Sequence, residues 1–305
     1  MTARVGLVVN PTAGKGRGSA AGREAHARLS ALGLAVEDLS GPSLVQATDR
    51  ARAGALRGLD ALVVVGGDGM VHLGANVVAG TDVPLGIVAA GTGNDIARTL
   101  ELPRGDVGAS VRAIQHGLAA GARRVDAVRV GPPGTRQQEW FVGVLSCGID
   151  AAVNARANGY RWPKGSARYV RALAGELGRF RPFGYRVTYD GQVWESAGTV
   201  VAVANTRWFG GGVKIAPDAA IDDGLLDVVV AGPFTKPGVV TIFPGLYQGK
   251  HVHDPRVQVL RARQVLVEAV PALGAVPPPA FADGERIGPL PLQLAVVPGA
   301  LSVLT

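Results

Sequence analysis

Residues 63–76 read VVVGGDGMVHLGAN. A β-branched apolar run stops at Gly66-Gly67-Asp68-Gly69, and a helical pattern begins at Met70. Three glycines around one carboxylate cost backbone entropy, so the turn must gain something from them. A strand, a glycine turn and a helix in succession are the unit of an α/β sheet. The same unit recurs on either side. Strands are expected at 4–10, 34–40, 60–67 and 84–91, and helices at 19–32, 43–56, 70–80, 93–100 and 105–117. Ser43 caps the second of these helices. Runs such as DALVVVGG (60–67) and PLGIVAAG (84–91) are apolar on both faces, as strands of an open parallel sheet are.

The pattern changes near residue 126. Stretches 123–130, 139–146, 184–190, 198–205, 225–231, 257–269, 291–297 and 300–304 read as strands, several alternating apolar and polar residues. Helices are expected only at 165–179 and near 236–248. The chain thus divides into an α/β domain, 1–126, and a mainly antiparallel β domain, 127–305.

With 305 residues and 47% apolar content, two ordinary domains can each bury a core. The net charge of +7 suits an anionic partner: nucleotide phosphates, nucleic acid or an anionic membrane face. One cysteine, Cys147, excludes a disulfide within the chain and any cysteine-based metal cluster. A reducing, cytoplasmic setting is expected. The start, MTARVGLVVNP, has too short an apolar stretch for a signal peptide, and no apolar run is long enough to span a bilayer. Any membrane contact is expected to be peripheral.

Three glycine-rich loops end strands of the first domain: NPTAGKGRG (10–18), GGDGMVH (66–72) and AAGTGND (89–95). Ligands of open parallel sheets bind at the carboxyl ends of strands. Glycine lets backbone N–H groups approach phosphate oxygens, and a following helix N-terminus favours anions. Each loop alone also reads as a plain turn. The first loop is no Walker A motif, since Gly16 follows Gly14-Lys15 and Val9 stands where that motif needs its first glycine. A dinucleotide fingerprint at Gly16–Ala21 starts too far past its strand.

VVNPTAGKGRG, VVVGGDGMVHLGANVVAG, PLGIVAAGTGNDIART, FGGGVKIAPDAAIDDGLLDVVV and FADGERIG, in this order, resemble the diacylglycerol kinase catalytic family, which includes bacterial lipid kinases and sphingosine and ceramide kinases. The resemblance implies an ATP site in a cleft between an α/β domain and a sandwich-like β domain. It implies nucleotide contacts from Asn10, Pro11, Thr12, Ala13 and Gly14, from Gly66, Gly67, Asp68, Gly69, Met70, Val71 and His72, and from Thr92. It implies an acidic pair, Asp283 and Glu285, at the reacting hydroxyl, and an acid linked to the catalytic metal at Asp126. It also implies a structural Mg²⁺ held by the Asp223 carboxylate and the carbonyls of Ala220 and Leu225. Relatives often carry Thr where this chain has Met70, so a hydroxyl at that place is absent.

Phosphoryl transfer needs a positioned γ-phosphate, a divalent cation and an oriented hydroxyl. Asp68, Asp126 and Asp283 are candidates to hold Mg²⁺ directly or through water. Glu285 is the first choice as general base and Asp68 the second. Without the resemblance, ADGER and DDG would read as solvated turns. Lys15 and Arg17 can reach phosphate as point charges or simply lie in water. Cys147 reads as an inert buried thiol.

Residues 156–186 interleave Arg156, Arg161, Lys164, Arg168, Arg171, Arg179, Arg181 and Arg186 with Tyr160, Trp162, Tyr169 and Phe180. Basic and amphipathic aromatic side chains suit an anionic lipid interface. No nucleic-acid motif accompanies them. The expected activity is ATP- and Mg²⁺-dependent phosphorylation of a lipid hydroxyl, with diacylglycerol first, at the inner face of the membrane. A homodimer is left open. The rivals are a kinase of a soluble substrate such as NAD and a nucleotide-binding regulatory protein without turnover.

Overall fold

The computed structural model describes residues 2–160 and 166–305, with the backbone alone at 158 and 166–170. The first four strands are β1 (Arg4–Val9), β2 (Ala35–Asp38), β3 (Ala61–Gly66) and β4 (Leu85–Ala89), all in parallel pairs in the order β2-β1-β3-β4. β3 is buried along its whole length. Its alternate residues serve two cores: Leu62 and Val64 belong to one, Val63 and Val65 to the other. Helices on both faces explain why the strand reads as continuous apolar sequence. Each such valine stabilises the fold by roughly 2 kcal/mol relative to exposure.

Helix starts follow capping chemistry. Ser43 accepts from the Gln46 N–H at the head of helix Leu44–Leu56, as expected, and Asp106 accepts from the Ala109 N–H at the head of Val107–Ala120. The Gly66–Gly69 turn leads straight into helix Asp68–Val78, two residues earlier than the pattern suggests.

The remaining strands are β5 (Arg123–Gly131), β6 (Glu139–Phe141), β7 (Val144–Gly148), β8 (Phe183–Tyr189), β9 (Gln192–Gly198) and β10 (Val200–Ala204). They continue with β11 (Leu226–Ala231), β12 (Val257–Ala262), β13 (Gln264–Ala269), β14 (Ala280–Ala282), β15 (Glu285–Gly288) and β16 (Leu292–Val303). Six of them, ordered β12-β11-β10-β7-β14-β15, form a wholly antiparallel sheet. The others extend the first sheet through β16, which pairs with β4 in parallel at Val303↔Leu85 and with β5 and β13 antiparallel. A sandwich core that includes Phe141, Leu145, Tyr185, Leu226 and Leu294 fills the space between the two sheets.

Several local readings change. Stretch 139–146 is two strands, because the N–H groups of Val142 and Gly143 are taken by Asp283 rather than by a ladder. Stretch 257–269 breaks at Arg263, where Asp190 accepts from the backbone N–H groups of Arg263 and Gln264. Conversely, 291–297 and 300–304 are one bulged strand. Strands β9, β14 and β15 and helix Ile149–Asn158 are additions. The helix expected at 165–179 runs Ser166–Arg179, and that near 236–248 runs Lys236–Gln248. Among the described residues, no helix is long and apolar enough to cross a membrane.

Candidate active site

The three glycine loops and the Asp283–Glu285 turn line one cleft of about 440 Å³. Its walls are Asn10 and Thr12–Lys15, Gly67–Met70, Gly91–Gly93, and Asp283–Glu285, with Leu44 beside them. Pro11, Gly66, Val71 and His72 stand outside this lining. Gly66, Val71 and His72 are buried behind it, and Pro11 is exposed.

Each loop is shaped by its own sequence. Asn10 Oδ1 accepts from both the N–H and the hydroxyl of Thr12, at 3.0 and 2.8 Å, which closes the first turn. A Cβ on Gly14, at φ 57°, would lie 2.3 Å from the Ala90 carbonyl oxygen. In the third loop, Asn94 Oδ1 accepts from the Gly91 N–H and its amide donates back to the Gly91 carbonyl, both at 3.0 Å. Thr92 is left exposed at the tip. Gly91 and Gly67 touch backbone to backbone: a Cβ on Gly91 would lie 2.4 Å from Gly67 Cα. Met70 is 5% exposed and packs over Gly66, so it belongs chiefly to the core under the turn.

Asp68 opens its helix at the cleft. Its Oδ1 accepts from the Ile96 N–H at 3.0 Å, and its Oδ2 lies beside Gly93. The first N–H groups of this helix have no partner within it and favour anions. Burial pushes the Asp68 carboxyl up to about 6; the Ile96 bond opposes this, and the charges of Asp95 and Asp283 add to it. Asp95 is itself buried, accepts from the N–H groups of Gly211 and Gly212 at 2.6 and 3.3 Å, and pairs with Arg98 at 3.3 Å. It thereby fastens the WFGGG loop to the third glycine loop.

The opposite wall is the Asp283–Glu285 turn between β14 and β15. Asp283 has φ 53°, and its side chain is fully shielded. Its two oxygens accept from the N–H groups of Val142 and Gly143 at 2.9 and 2.8 Å, with His72 Nδ1 at 3.4 Å. Gly143 has to be glycine for this, since a Cβ there would lie 2.6 Å from Asp283 Oδ1. Burial alone would lower the His72 pKa. Bonds to Asp283 and Glu139 and the charge of Glu285 outweigh that and push it to about 9. With its partner fixed, the turn lays Glu285 against the helix start: a Cβ on Gly69 would lie 2.6 Å from Glu285 Oε1. The last glycine of GGDG, in the first turn of the helix, thus makes room for a carboxylate.

Two other expected residues sit elsewhere. Asp126 is buried on β5 and lies outside the cleft lining. Its carboxylate accepts from the N–H groups of Gly224 and Gly299 at 2.7 and 2.8 Å. Asp223 accepts from the Leu225 N–H at 3.0 Å and pairs with the Arg261 guanidinium, which also lies 3.7 Å from Asp227. Ala220 precedes Ile221, whose carbonyl accepts from the Asp126 N–H at 2.8 Å. Arg261 already supplies the positive charge that a metal beside Asp223 would bring. Among the described residues, no group of three or more His, Cys, Asp or Glu is arranged to hold a metal ion. At the cleft, the Asp68 oxygen beside Gly93 fits a cation that takes one or two protein carboxylates together with phosphate oxygens.

Sequence reasoning missed Asn94, Asp95 and the glycines they hold. The signal for Asn94 was present in GTGND, where a short amide follows a glycine turn at a helix start. It also missed Ser40, whose hydroxyl accepts from the Val9 N–H at 2.9 Å and lines a separate hollow of about 300 Å³ with Ser19, Arg23, His26 and Asp38.

Comparison with known proteins places these features in a family. Residues 4–130 match the family described as diacylglycerol kinase catalytic domain, and residues 143–305 match the YegS C-terminal NAD kinase beta sandwich-like domain. A diacylglycerol kinase of Mycobacterium tuberculosis is 37% identical over 302 residues, covering 99% of this chain and 94% of the relative. A diacylglycerol kinase of Bacillus subtilis is 26% identical over 248 residues, covering 80% and 77%. In fold, the chain is similar to a crystal structure of a diacylglycerol kinase from Bacillus anthracis, with a TM-score of 0.73, 24% identity, and coverage of 99% and 96%.

Proposed function

The chain belongs to the diacylglycerol kinase family, and on that premise we propose that it transfers the γ-phosphate of ATP to a lipid hydroxyl in the presence of Mg²⁺. Diacylglycerol is the proposed acceptor and phosphatidic acid the product. The observation that carries this reading is the convergence of three glycine loops and an acidic turn on one cleft, with Glu285 lying against the glycine next to Asp68.

In this reading, the N–H groups at the start of helix Asp68–Val78 bind the phosphates, and the Asn10–Gly14 and Gly91–Gly93 turns hold the nucleotide on either side. Bound Mg²⁺ would neutralise charge on the phosphates. Asp68 holds its oxygen beside Gly93 to receive that ion or its waters. Glu285 accepts the proton of the lipid hydroxyl as the oxygen attacks, and the fixed Asp283 turn keeps it in reach. Asp126 acts from outside the cleft by holding Gly224 and Gly299. With Asp68 near 6, activity is expected to fall as pH drops below about 6, where this carboxylate takes up a proton.

Arrival at the lipid is assigned to the basic and aromatic stretch 156–186, docked on an anionic membrane. Arg161, Trp162 and Lys164 lie outside the described residues, and Arg168 and Tyr169 are described by backbone alone. Arg171 stacks over Tyr160 at 4.5 Å. Arg168→Glu with Arg171→Glu is expected to weaken sedimentation with anionic vesicles.

The test of the activity is incubation of pure protein with labelled ATP, Mg²⁺ and either dispersed diacylglycerol or NAD. Labelled phosphatidic acid with no labelled NADP supports the proposal. The reverse pattern assigns a soluble substrate. ATP binding without transfer to any lipid of a broad extract assigns a regulatory protein.

A further inference from the structure

Helix Lys236–Gln248 packs one face on the six-stranded sheet and leaves an apolar face uncovered. Val239, Ile242 and Leu246 join the cluster over that sheet. Val240 and Tyr247 are 55% and 51% exposed. Lys236, Val240, Phe243, Pro244 and Tyr247 fall at the spacings i, i+4, i+7, i+8 and i+11, which puts them on a single stripe. Phe243 and Tyr247 meet edge to face, with ring centroids 5.8 Å apart. Scattered exposed apolar residues are ordinary, but a continuous stripe two turns long is not.

Along the chain, the charge flanking the stripe has one sign. From Gly232 to His253 the chain carries no carboxylate, while Lys236 stands at one end of the stripe and Lys250 past the other. The same holds from Ala151 to Gly175, the stretch that precedes and includes most of helix Ser166–Arg179. The helix that ends this second stretch meets the first. Lys236 Nζ donates to the Gly178 carbonyl at 2.6 Å, and Leu173, Leu177 and Phe180 join the cluster that holds Val239. The stripe is also tied to the cleft by one loop. Gly211 lies beside Gly93 at the cleft wall, and the Lys214 N–H donates to the Leu246 carbonyl at 3.0 Å.

We propose that helix Lys236–Gln248 inserts Val240, Phe243 and Tyr247 into the interface of an anionic membrane, beside the basic helix Ser166–Arg179. The inference rests on the lipid-kinase reading for its purpose. Aromatic and aliphatic side chains enter the headgroup boundary, lysines at the ends meet anionic headgroups, and a helix without carboxylates of its own adds no repulsion from such a surface. The lysines at the two ends of a helix without carboxylates favour this occupant over a second copy of the chain, whose identical face would bring the same cations together.

The full chain and its Val240→Ser/Phe243→Ser/Tyr247→Ser variant are compared on vesicles of phosphatidylcholine with and without phosphatidylglycerol. The variant is expected to partition onto anionic vesicles at least about tenfold more weakly. Its phosphorylation of vesicle-borne diacylglycerol should fall in parallel, with activity on a short-chain, water-dispersed diacylglycerol kept within about twofold. A second variant guards against a folding defect. Cys147 is buried, so a fluorophore on Val240→Cys labels one site, and its emission should shift to the blue on anionic vesicles. Equal partitioning of the triple variant and parent, or an unshifted probe, overturns the proposal. So does a vesicle-free loss of dimer mass in the triple variant, which would make the stripe a contact between copies. If the parent phosphorylates neither lipid, the kinase reading fails, and the vesicle and probe arms still decide the helix.

Discussion

Two Asp-Gly turns of this chain look alike in sequence and do different things. Asp283-Gly284 and Asp223-Gly224 both place the glycine at positive φ, 90° and 71°. At the first, the carboxylate is fully shielded and joins two distant segments, one through Val142 and Gly143 and one through His72. At the second, the carboxylate is 28% exposed, bonds its own turn at Leu225 and pairs with Arg261 on the neighbouring strand. The first turn therefore aims Glu285 across a cleft, while the second fastens β11 to β12. An Asp-Gly pair states that the chain turns; depth and partners decide whether the turn serves a site.

The largest effect that can break this contrast is at the acids. Asp68→Asn is expected to lower turnover by about a thousandfold or more, whereas Asp223→Asn should change it by less than about threefold. Steady-state kinetics on purified, folded variants decides it, and an equal loss at Asp223 would dissolve the distinction. Asp68→Asn should also raise the melting temperature at neutral pH. Its parent carboxyl has a folded pKa above the unfolded value, so ionising it between about pH 4 and 6 costs the fold roughly 3 kcal/mol.

A smaller effect separates geometry from stability. Gly69→Ala puts a Cβ into the Glu285 carboxylate and should lower turnover about a hundredfold, with stability within about 1 kcal/mol because alanine suits a helix. Gly224→Ala should do the opposite: cost about 1 kcal/mol through its positive φ and leave turnover unchanged. Thermal melts beside rates check both.

The smallest effect is a pH slope. Asp283 and Glu139 hold the proton on His72, so its stabilisation is full below about pH 6.5 and is lost as pH rises through about 9, by roughly 3 kcal/mol. His72→Asn should remove that slope. Denaturant melts from pH 6 to 10 measure it, and an unchanged slope would show that the histidine does not clamp Asp283.

The parallel half of the fold was legible because β1, β3 and β4 are apolar on both faces and each helix has a cap or glycine at its start. The second half was legible only in part. Nothing local reveals that β16 returns to pair with β4, since register between residues far apart in sequence leaves no short pattern. FADGER reads as a turn, yet it is two short strands, because Gly284 and Asp283 bend so tightly that pairing resumes at once. QVWESAG lacks alternation, and it is a strand because β8 pairs with it along its length. For the site, the loops were visible as glycines. Asp95, the latch on Gly211 and Gly212, was hidden, since its role appears only when two loops of distant sequence meet.

The central claim is that Glu285 takes the proton of an acceptor hydroxyl in a cleft that binds ATP independently of it. The measurement is a pairing of calorimetric ATP affinity with diacylglycerol phosphorylation in Glu285→Gln and the parent chain. The account predicts ATP affinity within about twofold and turnover lower by about a thousandfold. Parental turnover in Glu285→Gln would contradict it.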